Sequence, residues 1–87
     1  MKIKGGFILR SIAGSWIVVP IGQRVVEFNG LMTLSDSGAF LWRSLERSAG
    51  MEELVASVLG EYDIDEATAR LDVQEFVSAV GERGLLE

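Results

Sequence analysis

The sequence predicts an α+β fold: a small antiparallel N-terminal sheet followed by three helices in a winged helix-turn-helix-like arrangement. Three observations predict it. β-rich runs punctuated by Gly fill the first third of the 87 residues. At Gly30 to Trp42 a short apolar strand runs into a capped helix that buries a tryptophan. Two further stretches then repeat apolar residues at helical spacing.

The elements follow in order. Phe7–Ile12 is rich in β-formers and ends at Ala13-Gly14, a tight turn. Ser15–Pro20 is the second strand, ended or pushed to an edge by Pro20. After the Ile21–Gln23 loop, Arg24–Phe28 and Leu31–Leu34 flank Asn29-Gly30. Asn-Gly between apolar runs predicts a hairpin, because both central residues tolerate positive φ. Ser35 is a good N-cap, and Asp36 suits the positive end of the helix dipole. Gly38, Leu41, Trp42 and Leu45 then share one face until Ala49-Gly50. Met51, Leu54, Val55, Val58, Leu59 and Tyr62 line the second helix. Asp65 caps the third, which runs to about Arg83 and stops at Gly84, a plausible C′ residue. Ala69, Val73, Phe76, Val77 and Val80 form its core face, with Leu85 and Leu86 packing back on the core.

Composition bounds the function. Residues 1–87 form one domain, with 48% hydrophobic residues enough for one core. The longest apolar run, Trp16–Ile21, is far short of the about 20 residues a membrane span needs. No apolar segment of signal-peptide length follows Lys2 and Lys4, so a cytoplasmic location and no membrane partner are expected. There is no Cys and no His, which removes disulfides, thiol nucleophiles, imidazole bases and most zinc or haem ligation. The net charge of −5 is unevenly placed: residues 1–34 carry +3 and residues 35–87 carry −8.

Catalysis and nucleic-acid binding find little support. No His or suitably placed Lys activates Ser35. Glu52, Glu53, Asp65 and Glu66 stand at helix starts, where acids are expected for dipole reasons. Asp63 and Asp65 lack the spacing of a calcium loop, and Lys4-Gly5-Gly6 lacks the context of a phosphate loop. No cofactor or metal is therefore predicted. A DNA-reading helix should present Arg or Lys. The third helix instead carries a net −3, and the second has three acids and no base. A winged-helix DNA-binding transcriptional regulator is the alternative, through the basic strands alone.

An interaction module remains. Leu31–Leu34 is a short apolar strand which, at a sheet edge, offers free N–H and C=O groups to an extended peptide. Alternation puts Leu31 and Thr33 on one face, Met32 and Leu34 on the other. One face covers the core; the other is available for a groove with the third helix, where Met suits an adaptable surface. Leu71, nearly opposite Val73, is that helix's candidate partner-facing anchor.

Leu34-Ser35-Asp36-Ser37-Gly38-Ala39-Phe40-Leu41-Trp42 resembles the strand-to-helix junction of the PqqD family, and Asp72 to Val77 through Gly84-Leu85-Leu86 resembles its closing helix. The resemblance covers nearly the whole chain. The family commonly has Asn where this chain has Ser35, and both cap helices. The resemblance implies a non-catalytic peptide-recognition element, a winged helix-turn-helix that binds the leader of a ribosomally made precursor peptide as an added strand. It implies delivery of that peptide to a modifying enzyme, often a radical SAM protein. Carried onto this chain, the strand is Leu31, Met32, Thr33 and Leu34, with Arg70, Leu71, Gln74 and Val77 flanking from the third helix. A monomer or a weak or swapped dimer is compatible with an exposed edge.

Overall fold

A computed structural model describes residues 1–28 and 30–87. Strand β1 (Phe7–Ile12) turns back through Ala13 and Gly14 into β2 (Ser15–Pro20). Both turn residues have positive φ, 51° and 82°, the combination that suits a two-residue hairpin to the twist of its strands. β3 (Met32–Leu34) pairs antiparallel with β2, giving the sheet order β1-β2-β3. The register sets Trp16 opposite Leu34, Ile17 opposite Thr33 and Val18 opposite Met32.

Between β2 and β3 the prediction fails. Residues 24–28 are not a strand: α1 (Arg24–Glu27) is one helical turn, so the described residues form four helices rather than three. Successive short-range bonds close it, from Arg24 N–H to Ile21 C=O, Val25 to Gly22 and Val26 to Gln23. The Arg24 side chain locks it further, donating to Gly5 C=O at 2.9 Å and pairing with Glu27 at 2.7 Å. β3 occupies the place beside β2, so the β preference of Val25 and Val26 has no ladder to satisfy it. Both are exposed, at 61% and 87%. Asn29 of the predicted hairpin turn lies outside the described residues.

The three longer helices follow their sequence signals. α2 (Asp36–Glu46) is capped by Ser35, whose Oγ accepts the Gly38 N–H at 3.1 Å. α3 (Met51–Glu61) begins at Gly50, whose N–H donates to Glu53 Oε1. α4 (Glu66–Glu82) is capped by Asp65, which accepts from Thr68 N–H at 2.8 Å; this bond holds the Asp65 carboxyl below its ordinary value. Gly84, at φ 73°, follows the C-cap in the left-handed conformation that ends many helices.

The core lies between the sheet and these helices. Val18, Trp42, Leu45, Leu54, Val73 and Val80 are wholly buried, the Val and Leu side chains each stabilising by about 1.5–3 kcal/mol. Leu85 is buried and Leu86 packs against the core, as predicted. Ile3, at 5% exposure, pairs with Leu86 and ties the first residues of the chain to the last turn. Among the described residues no helix is long and apolar enough to cross a membrane.

Candidate functional site

β3 is an edge, and the hairpin fixes what that edge offers. In a two-residue hairpin the residues beside the turn, Ile12 and Ser15, form a hydrogen-bonded pair, and bonded and non-bonded pairs then alternate. Arg10–Ile17 and Ile8–Val19 are therefore bonded pairs. The Ile21 N–H to Gly6 C=O bond at 2.8 Å continues the same phase. Odd-numbered β2 residues thus turn their amides to β1, and Trp16 and Val18 turn theirs to β3. Leu34 and Met32 bond to those two residues, which leaves the N–H and C=O of Thr33 pointing away from the sheet. Pro20, in the same phase as Trp16 and Val18, lies past the end of the β3 pairing, where its missing N–H costs no ladder bond.

Side chains alternate the other way. Met32 and Leu34 are each 9% exposed and face the core, while Thr33 and Leu31 are exposed. This corrects the reading of Met32 as an adaptable peptide-facing side chain: its neighbours are core residues, and only its backbone belongs to the edge. Leu31 precedes the paired segment rather than joining it.

Beyond the end of β3 the surface opens into a crevice between the α2 N-terminus and α4. Gly38 makes it possible. A Cβ there would lie 3.3 Å from Ser35 Oγ, 3.4 Å from Leu34 Cβ and 3.6 Å from the Phe76 ring, so strand, cap and α4 converge on a position with no side chain. One compartment of about 350 Å³ is lined by Ser35, Ser37, Gly38, Leu41, Asp72, Glu75 and Phe76. A second, of about 390 Å³, shares Ser35, Ser37, Leu41 and Asp72 and extends to Val58, Tyr62 and Ile64. Floor and back are apolar and the rim is acidic. Trp16 borders the same junction: its Nε1 donates to Asp36 at 3.0 Å, and the Arg43 guanidinium lies over its ring at 4.6 Å.

The flanking residues expected on α4 fall differently. Arg70 is turned to α3, donating to both Glu52 oxygens at 2.6 and 3.1 Å and to Glu66 at 3.3 Å. Those bonds lower the Glu52 pKa and raise that of Arg70. At about 100° per residue, Gln74 and Val77 share that side of α4, and Val77 packs on the core. Leu71 is 54% exposed on the outer face. None of these four lines the crevice; Asp72, Glu75 and Phe76, on the opposite flank, do. Phe76 reads as a core residue because it lies within the apolar stripe, and its half-burial at the stripe's border is a tertiary fact.

Among the described residues no group of His, Cys, Asp or Glu is arranged to hold a metal ion.

A family model described as "Coenzyme PQQ synthesis protein D (PqqD)" matches residues 15–86. Among solved structures, TbiB1 in complex with the TbiA(beta) leader peptide is similar, with a TM-score of 0.77 and 26% identity over 100% of this chain and 95% of that one. Lasso peptide synthetase B1 complexed with the leader peptide shares the fold, with a TM-score of 0.73 and 14% identity over 97% of this chain and 93% of that one. No curated protein matches.

Proposed function

The chain belongs to the PqqD family, and from that premise we propose that it is a non-catalytic chaperone for the leader segment of a ribosomally made precursor peptide. The observation that carries this reading is the unpaired edge at Thr33 beside the crevice to α4. A peptide strand laid along β3 exchanges hydrogen bonds with the Thr33 backbone and lowers a side chain onto Phe76 and Leu41. Backbone bonds supply affinity and the crevice supplies selectivity. The likeness in fold to TbiB1, solved with a leader peptide bound, supports a leader peptide as the ligand here.

In this reading Thr33 offers the outward backbone groups, with Leu31 ahead of it in the same phase, while Met32 and Leu34 hold the strand against β2. The partner that receives the peptide is a modifying enzyme, which in the resembling family is often a radical SAM protein. The single domain acts in the cytoplasm as a monomer or a weak or swapped dimer. α3 and α4 present carboxylates where a DNA-reading helix presents cations, so the transcriptional-regulator alternative is not favoured.

The test is an NMR titration of the labelled protein with leader peptides from precursor genes encoded nearby. Shifts at Met32–Gly38 and Phe76 support the reading. No binding by any leader, together with salt-sensitive binding of duplex DNA, overturns it.

A further inference from the structure

Two hollows of opposite charge lie at the two ends of the interval between β3 and α4, the groove proposed for the peptide. At the α2 end, Asp72 and Glu75 rim the crevice, and neither is ion-paired among the described residues. At the other end, Arg83 lies over the Phe28 ring at 5.8 Å. There a hollow of about 210 Å³ also takes in Lys4 and Arg24, with Glu27 as its one acid. Arg24 is neutralised by Glu27, so Lys4 and Arg83 remain as free cations among the described residues.

β3 and α4 run in opposite directions along this groove. Phe28, ahead of β3, is beside Arg83 at the end of α4; Leu34, the last β3 residue, adjoins Gly38, which adjoins Phe76. The strand therefore runs from the basic end to the acidic end. Every strand pairing in the sheet is antiparallel, and antiparallel ladders are slightly the more stable per residue. A peptide added antiparallel to β3 enters at the acidic end and leaves at the basic one.

From this we infer that the bound peptide carries a basic side chain on its N-terminal side and an acidic one further on, and that this charge order fixes its direction and register. Asp72 and Arg83 are eleven positions apart, about 16 Å at a helical rise of ~1.5 Å. An extended chain covers that distance in about five residues at ~3.3 Å each. The inference rests on the peptide-binding reading and adds the chemistry of the ligand.

The experiment is selection of a display library of random linear 14-residue peptides on the whole protein, at low salt. The expected result is enrichment of Lys or Arg about five positions before Asp or Glu, around an apolar residue. In Asp72→Lys/Glu75→Lys the N-terminal preference should turn acidic, and a selected Lys-bearing peptide should lose about tenfold in affinity, less at high salt. A folded Thr33→Pro variant should bind the selected peptides about 5- to 140-fold more weakly. Peptides that enrich on the wild type, depend on Thr33 and show no charge order, or the reverse order, overturn the inference and leave peptide binding standing. A wild type that enriches no peptide overturns both.

Discussion

Replacing Thr33 by Pro separates the edge from the fold. Pro lacks an N–H, and the phase of the β1-β2 hairpin turns the Thr33 N–H away from β2. No ladder bond is lost, so the unliganded cost is that of exchanging a good β-former on an exposed position, of order 1 kcal/mol. Leu34→Pro is the contrast. It removes an N–H bonded to Trp16, worth about 0.5–1.5 kcal/mol, and a buried side chain, worth about 2–5 kcal/mol. With a peptide present, Thr33→Pro deletes one backbone bond and strands a peptide carbonyl, a loss of about 1–3 kcal/mol. That corresponds to an affinity weakened about 5- to 140-fold. Urea unfolding gives the first pair of values, and isothermal titration with a selected or leader peptide gives the last; Thr33→Ala should bind nearly as wild type. Equal destabilisation by Thr33→Pro and Leu34→Pro refutes the assignment of which amides face outward. A folded Thr33→Pro variant with unchanged affinity refutes strand addition.

Other perturbations have equally definite outcomes. Leu54→Ala, at a wholly buried position, should cost about 2–5 kcal/mol in urea unfolding, while Leu71→Ala should stay within about 0.5 kcal/mol of wild type. Ser35→Ala should cost about 0.5–2 kcal/mol through loss of the α2 cap, and Ser35→Asn should restore most of it. The Asp65 carboxyl, held low by the Thr68 N–H, adds stability that is full above its unfolded-state value near 4 and disappears as pH falls through the lower folded value. Exchange of the Thr68 amide should therefore gain an acid-driven component below about pH 4 that Asp65→Asn abolishes. Gly38→Ala should narrow the crevice and weaken peptide binding more than it alters stability, read by titration beside thermal unfolding.

The helices were legible because each carries local punctuation. Ser35 and Asp65 cap, Gly50 and Gly84 interrupt, and the apolar residues between them keep helical spacing. β1 and β2 were legible from their β-rich composition and the Ala13-Gly14 turn. α1 was not, since Val25, Val26 and Phe28 read as strand, and the place beside β2 taken by β3, together with the Arg24 contacts with Gly5 and Glu27, decides otherwise. Periodicity separated the two faces of Leu31–Leu34 but did not say which faces the core; packing of Met32 under the helices decides that. On α4 the core stripe was legible and its flanks were not, because the flank that meets β3 depends on where α3 takes up Arg70. Asp72 and Glu75, two of the acids behind the net −3 of the third helix, become the rim of the crevice only once α2 and β3 are in place.

The most direct test of the central claim is amide hydrogen exchange at β3 with and without a bound leader peptide. In the free protein the Met32 and Leu34 amides should be protected and that of Thr33 should exchange rapidly. With peptide, Thr33 should become protected by a factor that follows peptide occupancy. A Thr33 amide that stays unprotected in the saturated complex would contradict recognition by strand addition along β3.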